Sequence, residues 1–188
     1  MFEPDFIIES REAVSQEFRA RGISTFYDAV LFVQNLQYGR NADKQNLITV
    51  FHDSCGTCST KHALLKSLAI ENNFDEIRLM IGIFRMNGEN TPAVADVLKE
   101  AKLDFIPEAH NYLRYHREIL DFTSADSKPE DFIGDLLEEI EVTPAQITAF
   151  KMDYHRKYLQ QWTLEIQSSY TLDELWTIRE ACIQSLSK

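Results

Sequence analysis

The sequence lacks any long apolar run. None of its stretches approaches the roughly 20 consecutive apolar residues that a membrane-spanning helix needs. Its N-terminus, MFEPDFIIESRE, carries acidic residues early and has no cationic start, no apolar core and no small-residue cleavage site. That pattern is not one of a signal peptide. We therefore expect neither a membrane partner nor a secretory leader.

Positive charge is also scarce. The chain has 19 Lys and Arg residues against 30 Asp and Glu residues, which gives a formal net charge of −11 and a pI near 4.9. Binding to a nucleic-acid backbone needs clustered cations, and no basic run is present. Nucleic acid is therefore not expected as a partner.

Cysteine is rare, with three residues in 188. Cys182 stands far from Cys55 and Cys58, so the cysteines do not form a disulfide framework, and a reducing cytoplasm is the expected location. A structural zinc site needs four N or S ligands. Only His52, Cys55, Cys58 and His62 could converge on one, because no second Cys/His pair stands at finger-like spacing. We predict neither a metal nor a cofactor.

The composition of the chain is that of a packed globular protein. Hydrophobic residues make up 44% of the chain and aromatic residues 11%, and the length suits one domain with a substantial core. The N-terminal part predicts one helix over residues 9–21, ended by Gly22, and a second capped by Ser24. Residues 47–51 favour a short strand, and residues 59–70 predict a helix.

In the middle of the chain the spacing of apolar residues changes from helical to alternating. Ile77, Leu79, Ile81 and Ile83 alternate with other residues, which predicts a strand. A short helix is predicted from Thr91 to about Ala101, beginning with a proline at its first position. Residues 109–115 and 118–123 then favour two strands joined by a tight turn.

The last third predicts helices. Capping-box patterns begin at Ser127, Thr143 and Thr171, and an apolar-periodic run follows each of them. The acidic residues at 138, 139 and 141 are typical of a solvated face. We therefore predict one domain over residues 1–126 and a helical extension over residues 127–188 that packs on it.

The segment FHDSCGTCSTKHALLK, residues 51–66, contains two cysteines and two histidines, the residue types that nucleophilic, redox and metal sites use. Cys58 stands where the predicted helix begins, and Gly56 before it allows a sharp turn. A helix N-terminus stabilises a thiolate through its dipole and free N–H groups. Cys58 is therefore a candidate nucleophile, and it needs a base and a group that orients the base.

His110 and Asp121 are the candidates for those two roles. If residues 116 and 117 form the turn of the predicted hairpin, His110 lies opposite Thr123 and diagonal to Asp121, on the same face. A diagonal pair is roughly 7 Å apart at the backbone, which an imidazole and a carboxylate can bridge. A turn shifted by one residue would place them on opposite faces.

These residues carry a resemblance. Residues 56–65 (GTCSTKHALL), 110–113 (HNYL) and 119–123 (ILDFT) look like the transglutaminase-like branch of the papain-type cysteine enzymes. That family has the same Cys, His, Asp order, with a helix and a tyrosine loop before the nucleophile that residues 32–38 resemble. The chain departs from the family at Lys61 and His62, and it has no upstream tryptophan for the oxyanion site.

The resemblance implies an α+β fold in which a nucleophile helix packs on a small antiparallel sheet. It also implies acyl transfer or hydrolysis through a thioester, with Cys58 as nucleophile, His110 as base and Asp121 as orienting carboxylate. The partner would be a peptide or amide substrate, and the final acceptor water or an amine. The N–H of Cys58 would supply one oxyanion donor; His52 is a candidate for the second.

Two alternatives stay open. Cys55-Gly-Thr-Cys58 before a helix also suits a thioredoxin-like oxidoreductase, although two helices precede it where that fold has a strand, a helix and a strand. A fold of this kind can also serve, without catalysis, as a protein-interaction module that docks through the C-terminal helices.

The other cysteines, histidines and aromatic residues are interpreted as parts of the core or the surface rather than of a functional site. Cys182 is expected to be a buried hydrophobe, and Cys55 is equally consistent with that role. The other histidines, His52, His62, His116 and His155, are predicted to be surface or cap residues. Aromatic residues at helical spacing predict a core stripe: Phe150, Tyr154, Tyr158 and Trp162.

Overall fold

A computed structural model describes residues 4–186 of the 188-residue chain and shows an α+β fold. Residues 1–3, part of the predicted non-secretory N-terminus, and residues 187–188 lie outside the described residues. Eight α-helices are assigned in the described part: α1 (Ala13–Ala20), α2 (Phe26–Gln34), α3 (Thr49–Asp53), α4 (Cys58–Glu71), α5 (Ala95–Glu100), α6 (Glu130–Ile133), α7 (Ala149–Glu165) and α8 (Leu172–Ser185). Two short 3₁₀ helices, Pro92–Val94 and Pro144–Ile147, precede α5 and α7.

The strands form two sheets. β1 (Gln37–Tyr38) and β2 (Cys55–Gly56) make a short parallel pair. The larger sheet is antiparallel with the order β5-β4-β3-β6. Its strands are β3 (Ile77–Met86), β4 (Ile106–Tyr115), β5 (Glu118–Leu120) and β6 (Leu136–Val142).

Strand β3 is buried on both faces, which explains its imperfect alternation. Ile77, Leu79, Ile81 and Ile83 belong to a core cluster shared with α1, α2 and α4. Met80, between them, belongs to a second cluster shared with α7 and α8. A strand covered on both sides reads as a nearly continuous apolar run rather than a strict alternation. The predicted strand is confirmed.

Helix α4 is the central helix of the fold. Ten of its 14 residues are buried, and the helix packs on β4 and β3 as well as on α1 and α2. Its start is fixed because the N–H of Thr57 donates to the hydroxyl of Thr60 at 3.0 Å, and that hydroxyl in turn donates to Asn41 at 2.7 Å. A capping arrangement of this kind satisfies donors that the first turn leaves free. The predicted helix at this position is confirmed.

Several local predictions are wrong. Residues 47–51 were expected to form a strand, but Thr49–Asp53 is helix α3. Thr25, not Ser24, caps α2 by accepting from the N–H of Asp28 at 3.1 Å. Ser127 caps no helix, since α6 starts after Pro129 with no side-chain cap. The boxes at Thr143 and Thr171 are confirmed.

The acidic run after residue 137 lies on a strand, although the last third of the chain was predicted to be helical; Glu138 and Glu141 are exposed, as predicted. Leu136, Leu137 and Ile140 of β6 contact the two cores, while Glu139 accepts from the guanidinium of Arg114 at 3.0 Å. Apolar packing and cross-strand ion pairs therefore outweigh the low strand propensity of glutamate. β6 pairs with β3 in the main sheet. The boundary between residues 126 and 127 stays a prediction.

No helix in residues 4–186 is long and apolar enough to cross a membrane.

Candidate active site

Cys58 is the first residue of α4, as predicted, and its side chain is nearly buried. The backbone N–H groups in the first turn of a helix have no partner within the helix and give that end a partial positive charge. Cys58 lines two cavities. A substrate bound in either cavity would therefore lie next to this residue.

His110 and Asp121 lie on the hairpin formed by β4 and β5. Tyr115 pairs with Glu118, so residues 116 and 117 form the turn as predicted. His116 adopts a φ of 53°, which lets the chain reverse without a glycine. Beyond the last paired residues, His110 Nε2 lies 2.9 Å from Asp121 Oδ2.

Thr123 fixes the Asp121 carboxylate. The other carboxylate oxygen, Oδ1, accepts from the N–H of Thr123 at 2.9 Å and from its hydroxyl at 2.6 Å. His110 and these hydrogen bonds hold the pKa of Asp121 far below its usual value, against the opposite effect of burial. Asp121 therefore carries a negative charge beside the imidazole throughout the physiological range.

Because His110 Nε2 lies against Asp121 Oδ2, Nδ1 is the ring nitrogen that Asp121 leaves unengaged, and the charges of His110 and Cys58 act on each other's pKa. Burial would lower the pKa of His110, but Asp121 and the thiol raise it to about 10. Burial would raise the pKa of Cys58, but Lys151, His110 and the backbone of Asn111 lower it to about 6. These shifts favour thiolate and imidazolium together near neutral pH.

Lys151 is a site residue that sequence reasoning missed. Its ammonium, on α7, lies 4.0 Å from the sulfur of Cys58 and donates to Ser59 Oγ at 2.8 Å and Asn111 Oδ1 at 2.7 Å. The side chain is buried, which lowers the pKa of Lys151 although the nearby thiol opposes this effect. The Lys151 ammonium is thus a second cation, besides the His110 imidazolium, that stabilises the thiolate.

The sequence did contain an indication that Lys151 is buried: it stands at helical spacing from His155, Leu159 and Trp162, the buried residues of α7. The predicted aromatic stripe is confirmed for Tyr154, Tyr158 and Trp162, which pack against the cores, but Phe150 is exposed. The most deeply buried residues of this face are Lys151, His155, Leu159 and Trp162. His155 was predicted at the surface, but it is buried and bonded to the carbonyl of Pro107 at 2.8 Å. The hydrogen bonds of Lys151 to Asn111 and of His155 to Pro107, both on β4, thus fix which face of α7 points inward.

His62 was also predicted at the surface and is fully buried. Its Nδ1 lies 2.8 Å from the carbonyl oxygen of Cys58, and its Nε2 accepts from the N–H of Phe122 at 2.8 Å. The imidazole is therefore neutral with the proton on Nδ1, and burial lowers its pKa to about 4. It joins the start of α4 to the segment that carries Asp121.

The first cavity, which we call the His110 cavity, has a volume of about 190 Å³. His110 and Asp121 line it together with apolar side chains from β3 and α6, among them Phe84, Met86 and Phe132. It therefore offers a mostly apolar space next to the acid–base group.

The second cavity, which we call the basic cavity, has a volume of about 360 Å³ and is bounded by the loop after β1 and by α7 and α8. Its basic lining residues are Arg40, Lys44, Lys151 and Arg179. Cys58 and Tyr38 line both cavities, whereas His52 is exposed and lines neither. The expectation that His52 supplies an oxyanion donor therefore has no support in the geometry.

Cys55 is placed differently from Cys58. All three cysteines are free, and the sulfur of Cys55 lies 3.9 Å from the carbonyl oxygen of Arg40. Burial and the neighbouring Asp53 raise the pKa of Cys55, so it stays a thiol where Cys58 ionises. Cys182 is buried, as predicted. Within residues 4–186 no group of His, Cys, Asp or Glu side chains is arranged to hold a metal ion.

The structure thus brings the three predicted residues Cys58, His110 and Asp121 to the wall of one cavity. Lys151, His62 and Asn111 do not line this cavity, but they contact Cys58 or its immediate neighbours and were not predicted as site residues. Comparison of the chain with protein-family models, with curated proteins and with solved structures found no match.

Proposed function

We propose that this protein is a cysteine-dependent acyl-transfer enzyme in which Cys58 is the nucleophile, His110 the acid–base group and Asp121 the orienting carboxylate. The observation that carries the proposal is the position of the His110 ring, whose Nε2 lies 2.9 Å from Asp121 Oδ2 in the wall of the cavity that Cys58 also lines. An imidazole so placed takes the thiol proton and is held in the correct tautomer.

The first half of the reaction forms a thioester. The Cys58 thiolate attacks the carbonyl carbon of an amide, and the electron pair of the C=O bond moves to the oxygen. The N–H of Cys58, free at the start of α4, donates to that oxyanion. The Tyr38 phenol lines both cavities, and burial raises its pKa, so it stays protonated and is the side-chain donor we assign to the second bond.

The second half releases the product. The C–N bond breaks as the His110 imidazolium gives its proton to the leaving amine, and the acyl group stays on Cys58 as a thioester. Water or a second amine then gives a proton to His110 and attacks the thioester carbon. The C–S bond breaks, and the thiolate is restored together with the imidazolium.

The arrangement supports membership of the transglutaminase-like branch suggested by the sequence. A helix that begins with the nucleophile packs on the antiparallel strands β3 and β4, and the histidine on β4 and the aspartate just after β5 follow in that order. The thioredoxin-like alternative is less favoured, because the larger sheet is wholly antiparallel and the Cys55 thiol contacts the carbonyl of Arg40.

Alkylation by iodoacetamide as a function of pH tests the proposal, with each cysteine followed separately by peptide mass spectrometry. Cys58 should reach half of its maximal rate near pH 6, whereas Cys55 in the same sample should react as a thiol of raised pKa. His110→Ala should move the Cys58 midpoint towards the ordinary thiol value of about 8.5. An ordinary midpoint in the unmodified protein would contradict the proposal.

A further inference from the structure

The basic cavity has an excess of positive charge in a chain whose net charge is −11. Four basic side chains line it against two acidic ones, Glu108 and Glu180. Both acids are already engaged: Arg179 pairs with Glu108 at 2.5 Å and with Glu180 at 2.6 Å, and Arg40 pairs with Glu180 at 2.5 Å. The arginines and the glutamates therefore neutralise one another.

The two lysines of the cavity are left without an acidic partner. Among residues 4–186, neither Lys44 nor Lys151 forms an ion pair with a carboxylate. Burial lowers the pKa of Lys44, and the charges of Arg40 and Arg179 lower it further. Glu180 and the Cys58 thiol oppose these effects. What favours an anion in this cavity is the pair of lysines that has no carboxylate partner.

The position of His110 decides which part of a substrate enters this cavity. The leaving amine must receive its proton from His110, which lines the other cavity. The carbonyl carbon is bonded to Cys58, which lines both. With the leaving group on the His110 side, the remainder of the acyl group extends into the basic cavity.

We infer that the acyl group transferred to Cys58 carries an anionic group of its own, a carboxylate, that binds between Lys44 and Lys151 in the basic cavity. The inference rests on the proposed function of Cys58. The monoamide of a short dicarboxylic acid is the simplest substrate of this class. In the thioester intermediate the carbonyl carbon is bonded to sulfur, while the second carboxylate lies near the two ammonium groups and keeps its charge.

Two alkylating reagents of nearly the same shape test the inference. Iodoacetate places a carboxylate one carbon from the sulfur, and iodoacetamide places a neutral amide there. Both react with the thiolate, so the ratio of their rates at Cys58 does not depend on the fraction ionised. We expect the ratio to exceed that of N-acetylcysteine in the same buffer by about tenfold, since the cavity concentrates anions.

The His110 imidazolium also attracts iodoacetate. Variants of Lys44 therefore show how much of the rate ratio comes from the basic cavity and how much from the imidazolium. Lys44→Gln should lower the iodoacetate-to-iodoacetamide ratio by about threefold and Lys44→Glu by about tenfold, because a partly screened charge at this range is worth a few-fold in rate. Lys157→Gln is the matched control. Lys157 is exposed on α7 and does not line the cavity, so the ratio should not change.

The two proposals fail in different ways. If the pH midpoint of iodoacetamide alkylation is low but Lys44→Gln and Lys44→Glu have the same ratio as Lys157→Gln, the anionic subsite is wrong and the proposed function stands. If the midpoint is that of an ordinary thiol, the proposed function fails whatever the ratio, and the inference about its substrate fails with it.

Discussion

The Asp121 carboxylate holds His110 with one oxygen and Thr123 with the other. Oδ2 lies 2.9 Å from His110 Nε2, and Oδ1 accepts both the N–H and the hydroxyl of Thr123. Two donors on Oδ1 fix the orientation of the carboxylate, so that Oδ2 always faces the ring. A side chain at residue 121 that keeps this oxygen is therefore oriented by its hydrogen bonds to Thr123.

Asp121→Asn should lower the reactivity of Cys58 without unfolding the protein. The amide oxygen keeps the bonds from Thr123, so the amide nitrogen faces His110 and donates to Nε2, which leaves the proton on Nδ1 and the imidazole unable to accept one from the thiol. We expect near-normal thermal stability and a rate of Cys58 alkylation by iodoacetamide at pH 6 that falls about tenfold or more.

Asp126→Asn, at an exposed residue of the same segment, is the matched control and should leave the rate unchanged. Unfolding of Asp121→Asn in thermal denaturation would show that Asp121 serves stability rather than His110. An unchanged rate with an intact fold would remove Asp121 from the site.

Lys151→Met should raise the pKa of Cys58. Methionine fills a similar volume but removes the cation that lies 4.0 Å from the sulfur. The midpoint of the pH–rate profile for iodoacetamide should rise by about one pH unit, which slows alkylation at pH 6 about tenfold. Lys157→Met, on the exposed side of the same helix, should leave the midpoint in place. Equal midpoints in both variants would rule out an electrostatic role for Lys151.

The buried His62 should make the fold sensitive to acid. Its pKa is about 4 in the folded protein and about 6.5 in an unfolded chain. Between these values the unfolded state binds a proton that the folded state does not, so the free energy of unfolding falls as the pH falls from 6.5 to 4. One proton corresponds to a slope of about 1.4 kcal/mol per pH unit.

His62→Gln tests this linkage, because an amide can donate to the carbonyl of Cys58 and accept from Phe122 without titrating. Urea denaturation at a series of pH values should show a shallower slope for the variant by about one proton. If His62→Gln has the same slope as the unmodified protein, His62 is not the titrating group.

Cys55→Ser should leave the alkylation of Cys58 nearly intact, because the Cys55 thiol contacts the carbonyl of Arg40 rather than the acid–base group. The rate at pH 6 is expected within about twofold of the unmodified value, since the cations that lower the pKa of Cys58 are unchanged. A Cys55–Cys58 disulfide that cycles between roughly −270 and −120 mV would instead favour the redox alternative.

The hairpin and the start of α4 could be predicted because local signals determine them. The two strands of the hairpin were predicted from their composition, and the turn at residues 116 and 117 that the strand limits imply is the observed one, which places His110 and Asp121 on one side. Gly56 and the helix-forming run after it placed Cys58 at the first position of α4. In both cases the residues that decide the structure are neighbours in the sequence.

The positions of Lys151, His62 and His155 could not be predicted in the same way, because their partners are distant in the chain. Lys151 bonds to Asn111, 40 positions away, and His62 to Phe122, 60 positions away. A buried polar side chain is stable only when such partners exist. Without them, the plain preference of lysine and histidine for the surface is the better guide. β6 was missed for a similar reason, since its strand depends on pairing with β3.

The distance in sequence between Cys58 and Lys151 also sets an order of events during synthesis. The two residues are 93 positions apart, and a ribosome adds roughly 5–20 residues per second, so the lysine is made about 5 to 20 seconds after the cysteine. Until α7 has emerged and docked, the thiol lacks its ammonium neighbour and is a weaker nucleophile. The growing chain therefore becomes fully reactive only after α7 has been translated.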